Sequence, residues 1–414
     1  MNKRKIFNDP VYGFISIHSD LIFDIIEQPV FQRLRRIRQM GLADYVYLGA
    51  HHTRFHHALG AMHLMESTLK SLCSKGHEIT DHEWESALLG ILLHDVGHGP
   101  CSHALEYSIL SDVKHESLSL LIMQRLNKTF NGALDTALQM FNGTYPRRFF
   151  NQLITGQLDI DRLDYLNRDS FFTGVSEGTI GSERIIKMLD IVNDNLVVEE
   201  KGIYSIENFL NARRLMYWQV YLHKTAISAE TMLIQVIRRA RELTHAGIEV
   251  FASPPLSLFL KESVRMESFL NDPVYLQTFQ CLDDYDIWGS VKIWINHSDF
   301  ILSSLSRMLL ERKLFRITLS SEKPSREFSK TIKNQLSTFY RIPSKDMHYL
   351  YIEGSTSNAA YLSQGTGINI LTKKGKILDI ALASDLPNIK AMSKIVRKYY
   401  ACWAKEINWE PASL

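Results

Sequence analysis

His94 and Asp95 place an imidazole and a carboxylate side by side, directly after a run of aliphatic residues, in the string LLHDVGHGPCSH at 92–103. Neighbouring residues of an ideal helix point about 100° apart, so both side chains reach one ion only where the helix loosens. Val96 and Gly97 allow such loosening. A mixed nitrogen and oxygen donor set suits Mn, Fe, Co, Zn or Ni, and carboxylates extend the choice to Mg. Taken alone, the dipeptide fits a buried hydrogen-bonded pair better than a metal site.

A metal bound by this doublet needs further ligands, and the chain offers a histidine upstream and an aspartate downstream. His57 lies in HTRFHHALG at 52–60, beside His56, and Asp161 lies in LDIDRLDY at 158–165. Alone, His57 fits a core or capping histidine, and Asp161 fits a helix N-cap with Asp159 and Asp164 as rivals. All of them in this order favour one divalent ion with four protein ligands and open positions for water and substrate oxygens.

Histidines are crowded into the first part of the chain. Of the 16 histidines, 12 lie within the first 115 residues. Packing or surface histidines should be scattered, whereas a metal site or a phosphate-handling site gathers imidazoles. The crowding therefore supports a reactive centre in this region.

Composition excludes several classes of protein. The 414 residues are 45% apolar and 22% charged with a formal net charge of +2, which is typical of a soluble globular protein and excludes disordered and fibrous chains. This charge gives no bulk attraction to nucleic acid or to an anionic membrane. The apolar stretch at 87–93 is shorter than the roughly 20 residues that cross a bilayer, and no apolar region follows the basic N-terminus. We expect a cytoplasmic protein whose four cysteines are reduced thiols.

The fold class predicted from hydrophobic periodicity is mainly α, with a helical body at 1–313 and a small C-terminal α+β lobe at 314–414. The helices predicted in the body run over 31–40, from a Thr53 cap through Met65, over 83–93 with Asp81 as N-cap, and over 206–241. The lobe is predicted to hold strands at 315–319, 349–352, 368–371 and 377–380 and a closing helix at 388–400.

These motifs together resemble the HD-domain deoxynucleoside triphosphate triphosphohydrolases, in the branch of the sterile-alpha-motif-and-HD-domain dNTPase and its bacterial relatives. The matching strings span 5–225 in unbroken order, with weaker similarity to about 315, and no sterile-alpha-motif segment is expected because FNDPVYG begins at residue 7. Besides LLHDVGHGPCSH at 92–103, the matching strings are FNDPVYG at 7–13, FQRLRRIRQMG at 31–41, RFHHALG at 54–60, HE at 115–116, DIDRLDYLNRD at 159–169 and the stretch at 205–224 that ends in YLHK.

The resemblance implies a metal-dependent hydrolysis of dNTPs to deoxynucleoside and inorganic triphosphate, with the ion held by His57, His94, Asp95 and Asp161. By the same resemblance His103 is the general acid, His98 and His115 contact or support the phosphates, and Glu116 orients an imidazole or the water. Glu106, three residues after His103, stands where the family usually has a supporting Asp.

The substrate contacts are also implied by the resemblance. Guanidinium groups hold phosphate oxygens in a bidentate manner, and Arg162 stands where the family more often has Lys. An aromatic ring against the C2′ edge of the sugar would exclude a 2′-hydroxyl, and Met40 replaces the usual Leu beside the sugar contact. The residues at these positions are Arg54, Arg162 and Arg213 for the phosphates and Gln39, Tyr165, Asp169 and Tyr221 for the sugar and phosphates.

Regulated relatives are tetramers that a second nucleotide activates. Lys5, Gln32 and Arg35 match that regulatory block, and Glu27 replaces the usual Asp that recognises guanine. The same residues are equally compatible with salt bridges at a helix interface. Activation by GTP or a dNTP, and assembly as a dimer or tetramer, are thus expectations from the resemblance.

Two other functions fit parts of the sequence. An HD phosphohydrolase for another nucleotide phosphoester would use the same ion, although three arginines suit a longer polyanion better. A single-stranded nucleic-acid-binding or nuclease module could use the basic strings at 3–5 and 33–38. The near-zero net charge and the lack of interleaved aromatic residues argue against nucleic acid as a partner.

Overall fold

The computed structural model describes residues 5–102, 108–110, 113–358, 361, 367–387, 389 and 395–405. As predicted, the fold is mainly α. The helices in this part of the chain are α1 Asp20–Ile26, α2 Pro29–Gln32, α3 Arg54–Ser74, α4 Asp81–Leu93, α5 His115–Thr129, α6 Asp135–Asn142, α7 Arg148–Thr155, α8 Ile160–Thr173, α9 Ser182–Met188, α10 Ile203–Met216, α11 Lys224–His245, α12 Pro254–Lys261, α13 Met266–Asn271, α14 Pro273–Phe279, α15 Asp284–Trp294, α16 Phe300–Leu310, α17 Arg326–Tyr340 and α18 Ile380–Ala383.

Three small sheets accompany the helices. The strands in the described ranges are β1 Lys5–Asp9, β2 Gly13–Ile17, β3 Leu189–Val192, β4 Asn195–Glu199, β5 Arg316–Ser320, β6 Tyr351–Asn358, β7 Asn369–Leu371, β8 Ile377–Asp379 and β9 Val396–Trp403. The first sheet is the antiparallel hairpin of β1 and β2, the second has the order β3-β4-β7-β8, and the third has the order β5-β9-β6 with antiparallel neighbours.

The helices α3, α4 and α8 form the frame of the candidate site. Thr53 caps α3 through a reciprocal pair of bonds with His56, and Thr80 caps α4 in the same way with Glu83. Asp81, predicted as the cap of α4, is instead its first helical residue. The side chain of Asp159 caps α8 by accepting from the backbone N–H of Arg162 at 2.8 Å. These caps set where each helix begins, and therefore which side chains of its first turn face the neighbouring helices.

Two predicted helices are shorter or interrupted. The long helix predicted over 206–241 is two helices, α10 and α11, separated by a π-helical turn at Tyr217–Tyr221. Such turns insert one residue and commonly mark functional sites. The helix predicted over 31–40 ends at Gln32 and tightens into a 3₁₀ turn at Arg33–Arg36. Beyond that turn the backbone extends, and Arg38 forms a β-bridge with Thr53.

The four strands predicted in the C-terminal part are confirmed. The closing helix predicted over 388–400 is wrong from Val396 to Tyr400, and 388 and 390–394 lie outside the described residues. Residues Val396–Trp403 form β9, the central strand between β5 and β6. Val, Tyr and Trp favour strands, and Ala401, Cys402 and Trp403 are fully buried there. Val198 of β4 lies opposite Ile370 of β7, so the body and the C-terminal part share a sheet. The boundary at residue 313 remains a prediction.

Candidate metal centre and its surroundings

Three side-chain atoms from three helices converge on one point. His57 Nε2 lies 3.3 Å from His94 Nε2 and 3.1 Å from Asp161 Oδ1, and His94 Nε2 lies 3.4 Å from the same oxygen. Asp95 completes the cluster, with Oδ1 at 3.5 Å from His94 Nε2 and Oδ2 at 3.7 Å from His57 Nε2. The structure thus brings together all four side chains that the sequence proposes as ligands.

Helix ends aim these four side chains. His57 lies in the first turn of α3, His94 ends α4 as its C-cap, and Asp161 lies in the first turn of α8. Asp95 follows immediately, where the backbone leaves the helix. A helix terminus allows adjacent residues to turn toward one point, which a regular helix interior does not.

The far side of each imidazole shows which nitrogen faces the cluster. His94 Nδ1 lies 2.6 Å from the backbone carbonyl of Ile91, and His57 Nδ1 lies 2.7 Å from Asp164 Oδ2. Both partners accept hydrogen bonds, so in the neutral rings Nδ1 carries the proton and Nε2 presents a lone pair to the cluster. Metal-binding histidines are held in this way. Two nitrogen lone pairs with two carboxylates fit a divalent ion, whose identity the donor set leaves open.

The electrostatics of the cluster favour positive charge. Burial opposes protonation of His57, but hydrogen bonds to Asp161 and Asp164 outweigh it and raise the pKa of His57 to about 10. Burial likewise opposes ionisation of Asp161, but hydrogen bonds from His57 and His94 lower the pKa of Asp161 well below its usual range. The carboxylates therefore stay ionised, and the site is built to neutralise a cation.

Arg54 joins the cluster to a neighbouring loop. Its Nη1 donates to Asp95 Oδ2, and its Nη2 donates to Ser102 Oγ at 2.9 Å. Ser102 in turn donates to the carbonyl of Arg38 at 2.9 Å. The sequence did not single out Ser102. Its backbone φ of 52°, and the 54° of Cys101, place two residues other than glycine in the left-handed region, which commonly marks functional sites.

The other two predicted arginines meet at the turn before α8. Arg162 donates to Asp159 and, at 2.7 Å, to the carbonyl of Gly156. Arg213 Nη1 lies 3.4 Å from Gln157 Oε1. Burial raises the pKa of Asp159 to about 7 against the influence of the nearby Arg162.

His98 and His115 stack with ring centroids 3.8 Å apart. His98 Nε2 also lies 3.3 Å from Asp95 Oδ1. Burial, together with the positive charge of Arg54, lowers the pKa of His98 well below its usual range, so this imidazole is neutral near pH 7. Glu116 lies 3.6 Å from His115 Nε2 with a side chain that is 61% exposed. The predicted acid His103 and its neighbour Glu106 lie outside the described residues.

Asp169 organises the predicted sugar side of the site. Its Oδ2 accepts from the Tyr221 hydroxyl at 2.8 Å, and its Oδ1 lies 2.7 Å from His52 Nε2. The ring of Tyr165 meets Tyr221 edge to face at 6.0 Å. The backbone N–H of Gln39 donates to the carbonyl of His52 at 3.0 Å, which brings the predicted sugar contact to the same place. His52 was not predicted as a site residue, and its only signal in the sequence is its place among the crowded histidines.

The four predicted regulatory residues lie at the surface near the start of the chain. Arg35 Nε donates to Gln32 Oε1 at 2.8 Å, and its guanidinium lies 3.6 Å from the centroid of the Phe55 ring. Gln32 Nε2 donates to the carbonyl of Ile26 at 2.8 Å. Lys5 lies over Phe23 at 5.8 Å, and Glu27 is the C-cap of α1. These contacts are internal to the protein, and the regulatory role remains a prediction.

Comparison with known proteins identifies the family. Residues 180–252 match the model of the HD associated region. The Bacillus subtilis protein YwfO, itself uncharacterized, is 32% identical over 398 residues, which cover 93% of this chain and 88% of that protein. A crystal structure of a phosphohydrolase from Bacteroides thetaiotaomicron is 51% identical with a TM-score of 0.94, covering 97% of this chain and 100% of that chain. The chain belongs to the HD phosphohydrolase family.

The chain is also similar, at lower identity, to a member of the dNTP triphosphohydrolases that its motifs resemble. It is 27% identical over 330 residues to the deoxynucleoside triphosphate triphosphohydrolase SAMHD1 of Bos taurus, over 67% of this chain. The match spans 54% of that relative, so this chain corresponds to about half of the relative's length. None of the described helices of the HD phosphohydrolase combines the length and apolar character that a bilayer span requires.

Proposed function

We propose that this HD phosphohydrolase hydrolyses dNTPs to deoxynucleoside and inorganic triphosphate, using a divalent ion held by His57, His94, Asp95 and Asp161. The observation that carries the proposal is the pairing of Arg54 with Asp95, which places a buried guanidinium directly beside the metal cluster. A guanidinium there suits a phosphate oxygen that the ion also contacts. The relationship to the dNTP triphosphohydrolases supports this substrate class.

A chain of phosphates needs more than one cation, and three arginines supply them. Arg54, Arg162 and Arg213 each have a buried Nε without a hydrogen-bond partner, and no other arginine in the described ranges does. Buried donors are nearly always satisfied in proteins, so three Nε donors without partners support an anionic ligand as their missing acceptor. A triphosphate matches three guanidiniums better than a monophosphate or a cyclic phosphate does.

The ion, when bound, would polarise a phosphate oxygen and lower the pKa of a water. The protein side chains do the rest. Asp164 and the carbonyl of Ile91 fix the two imidazoles, Ser102 fixes the Arg54 guanidinium, and neutral His98 donates from Nε2 to Asp95. Protonation of the leaving 5′-oxygen is assigned to His103 by the resemblance.

The preference for deoxyribose is assigned to the group around Asp169. Both of its carboxylate oxygens are already engaged, by His52 and Tyr221, so the carboxylate holds the Tyr221 ring in place. A fixed ring against C2′ leaves no room for a 2′-hydroxyl. Gln39 Oε1 is buried without a hydrogen-bond partner, which suits acceptance from a sugar 3′-hydroxyl.

We further propose that GTP or a dNTP activates the protein by binding at Lys5, Glu27, Gln32 and Arg35. We also propose that the protein is a dimer or tetramer in the cytoplasm. The resemblance alone supports both statements. Rates measured with single dNTPs and dNTP pairs, each with and without GTP, test the activation. Identical rates throughout would reject it.

Product analysis tests the proposed reaction. Purified protein is incubated with each dNTP and rNTP in the presence of Mg, Mn, Fe, Co, Ni or Zn, and the products are separated by anion exchange. We expect deoxynucleoside and inorganic triphosphate from dNTPs and little turnover of rNTPs. Pyrophosphate with a monophosphate as products would contradict the proposal. The His94→Ala variant, which lacks one proposed ligand, should be inactive with every metal.

A further inference from the structure

A cavity of about 900 Å³ lies along the C-terminal parts of the two helices that carry His57 and Asp161. Its walls come from α3, α8, α9 and the loop at 174–181, and the turn between β1 and β2 closes one side. Neither the four residues of the metal cluster nor the four predicted regulatory residues line it. A cleft of this volume accommodates a ligand the size of a nucleotide.

Hydroxyl groups dominate the polar part of the wall, and several of them donate their proton to a backbone carbonyl. Ser67 donates to the carbonyl of His63 at 3.1 Å, Ser71 to that of Ile186 at 3.3 Å and Ser170 to that of Val175 at 2.7 Å. A hydroxyl that donates to the backbone offers its oxygen as an acceptor. The wall therefore suits a ligand that carries O–H or N–H donors, as a sugar or a nucleobase does.

Aromatic rings and cations supply the remaining chemistry. The ring centroids of Tyr12 and His63 are 5.4 Å apart. Phe171 also lines the cavity, and 57% of the Phe171 surface is exposed. Lys70 and Lys187 line the cavity. Lys70 pairs with Glu66 at 2.7 Å, whereas Lys187 has no ion-pair partner in the described part of the chain. Exposed aromatic faces bind planar bases, and lysine ammonium groups bind phosphate.

The cavity is connected to the metal cluster by a short chain of contacts. Tyr12, whose hydroxyl is buried without a hydrogen-bond partner, lies over the guanidinium of Arg168 at 5.4 Å. Arg168 donates to Asp164 at 2.9 and 3.0 Å, and Asp164 accepts from His57 Nδ1. Gly60 lets these groups approach α3, since a Cβ there would lie 2.0 Å from Arg168 Nη2 and 2.1 Å from Asp164 Oδ1. A ligand that shifts Tyr12 would therefore shift the residue that orients His57.

We propose that this cavity binds a nucleoside phosphate, with the base near Phe171 and Tyr12 and the phosphate at Lys70 and Lys187, and that its occupation alters metal binding at His57 through Arg168 and Asp164. The binding does not depend on the reaction proposed above. A lack of dNTP hydrolysis would not contradict nucleotide binding in the cavity. A lack of binding in the cavity would not contradict the proposed reaction.

Hydrogen–deuterium exchange of the full-length, Mn²⁺-loaded protein locates the binding. The probes are deoxyadenosine monophosphate, deoxyadenosine alone and inorganic triphosphate alone. We expect the monophosphate to protect the loop at 174–181, and each of the other two probes to protect it at least 10-fold more weakly at equal concentration. No protection of this loop by any probe would overturn the proposal, and equal protection by inorganic triphosphate would overturn its nucleoside part.

A charge-reversal variant separates the cavity from the catalytic site. Lys70→Glu with Lys187→Glu changes only exposed side chains, so it should fold, and it should weaken protection of the loop by the monophosphate at least 10-fold. Lys292→Glu, an exposed lysine on α15, is the matched control and should bind as the wild type does. Unchanged protection in the double variant would refute the cavity site.

The same variants test the connection to the metal. The Mn²⁺ dissociation constant is measured with and without deoxyadenosine monophosphate. We expect at least a threefold change in the wild type and in Lys292→Glu, and no change in the double variant. An equal change in the double variant would place the effect at the catalytic site and overturn the connection.

Discussion

Asp164 Oδ2 and His57 Nδ1 are 2.7 Å apart, on the side of the imidazole that faces away from the metal cluster. Both side chains are fully buried. Asp164 also accepts two hydrogen bonds from Arg168, which in turn pairs with Asp9 of the first strand. The carboxylate therefore fixes the orientation of His57 and ties it to the hairpin at the start of the chain.

Replacing Asp164 by Asn should weaken metal binding without removing a ligand. The amide keeps the shape of the carboxylate but loses its charge, so His57 is less firmly oriented and less basic. Losses of this kind cost about 10- to 100-fold in metal affinity. Competition with a fluorescent chelator measures the dissociation constant of Mn²⁺. Asp190→Asn is the matched control, because Asp190 pairs with His77 at 2.6 Å away from the cluster, and it should bind the metal as the wild type does.

Removing the guanidinium of Arg54 should cost catalysis more than folding. Arg54→Ala loses a donor that we place against a phosphate oxygen, and the loss of one such donor typically lowers turnover about 100- to 1000-fold. We expect kcat/KM for the preferred dNTP to fall by about this factor. Arg125→Ala, an exposed arginine on α5, should leave kcat/KM unchanged. A fall of less than 10-fold in Arg54→Ala would remove Arg54 from the phosphate site.

Asp284 should position the loop that holds Arg54. Its two carboxylate oxygens accept the backbone N–H of Cys101 at 2.7 Å and that of Arg38 at 2.9 Å, next to the left-handed residues Cys101 and Ser102. Asp284→Ala leaves two buried donors unsatisfied, which costs about 1–3 kcal/mol each. We expect a lower Tm together with a kcat reduced about 10-fold or more, because Ser102 no longer holds the guanidinium.

A matched helix cap separates stability from activity in this variant. Asp272 accepts the backbone N–H of Val274 at 2.9 Å at the start of α14, so Asp272→Ala should cost about 1 kcal/mol of stability. It should not change kcat. Equal kcat values in the two variants would show that Asp284 acts on stability alone.

Glu230 makes the stability of the protein depend on pH. Burial raises the pKa of Glu230 to about 7, above the value of about 4.3 of a free glutamate. The folded state therefore binds the proton more tightly than the unfolded state, and stability falls as pH rises from about 4 to 7. Glu230→Gln removes this loss of stability. Its free energy of unfolding should therefore exceed that of the wild type by on the order of 2 kcal/mol at pH 8 and equal it near pH 4. Urea unfolding at both pH values measures the difference, and Glu322→Gln, at an exposed position, should show none.

The amino-acid sequence by itself determined the family, the helical class and the kinds of donor atoms in the cluster. Those properties depend on residue types and on local spacing, as the cap predicted at Thr53 shows. Spacing could not choose among Asp159, Asp161 and Asp164, because all three lie within two turns of one another. Tertiary contacts gave each a separate place: Asp159 caps α8, Asp161 faces the two Nε2 atoms, and Asp164 accepts from the far side of His57.

Only the tertiary structure decided the remaining features. The partners of Asp284 lie 183 and 246 residues away along the chain, and those of Asp164 include His57 at a separation of 107. The strand β9 exists because β5 and β6 flank it, and the π-helical turn at Tyr217–Tyr221 places Tyr221 against Asp169. Hydrogen bonds between residues so far apart in the chain leave no periodic pattern in the sequence, because they form only once the helices have packed.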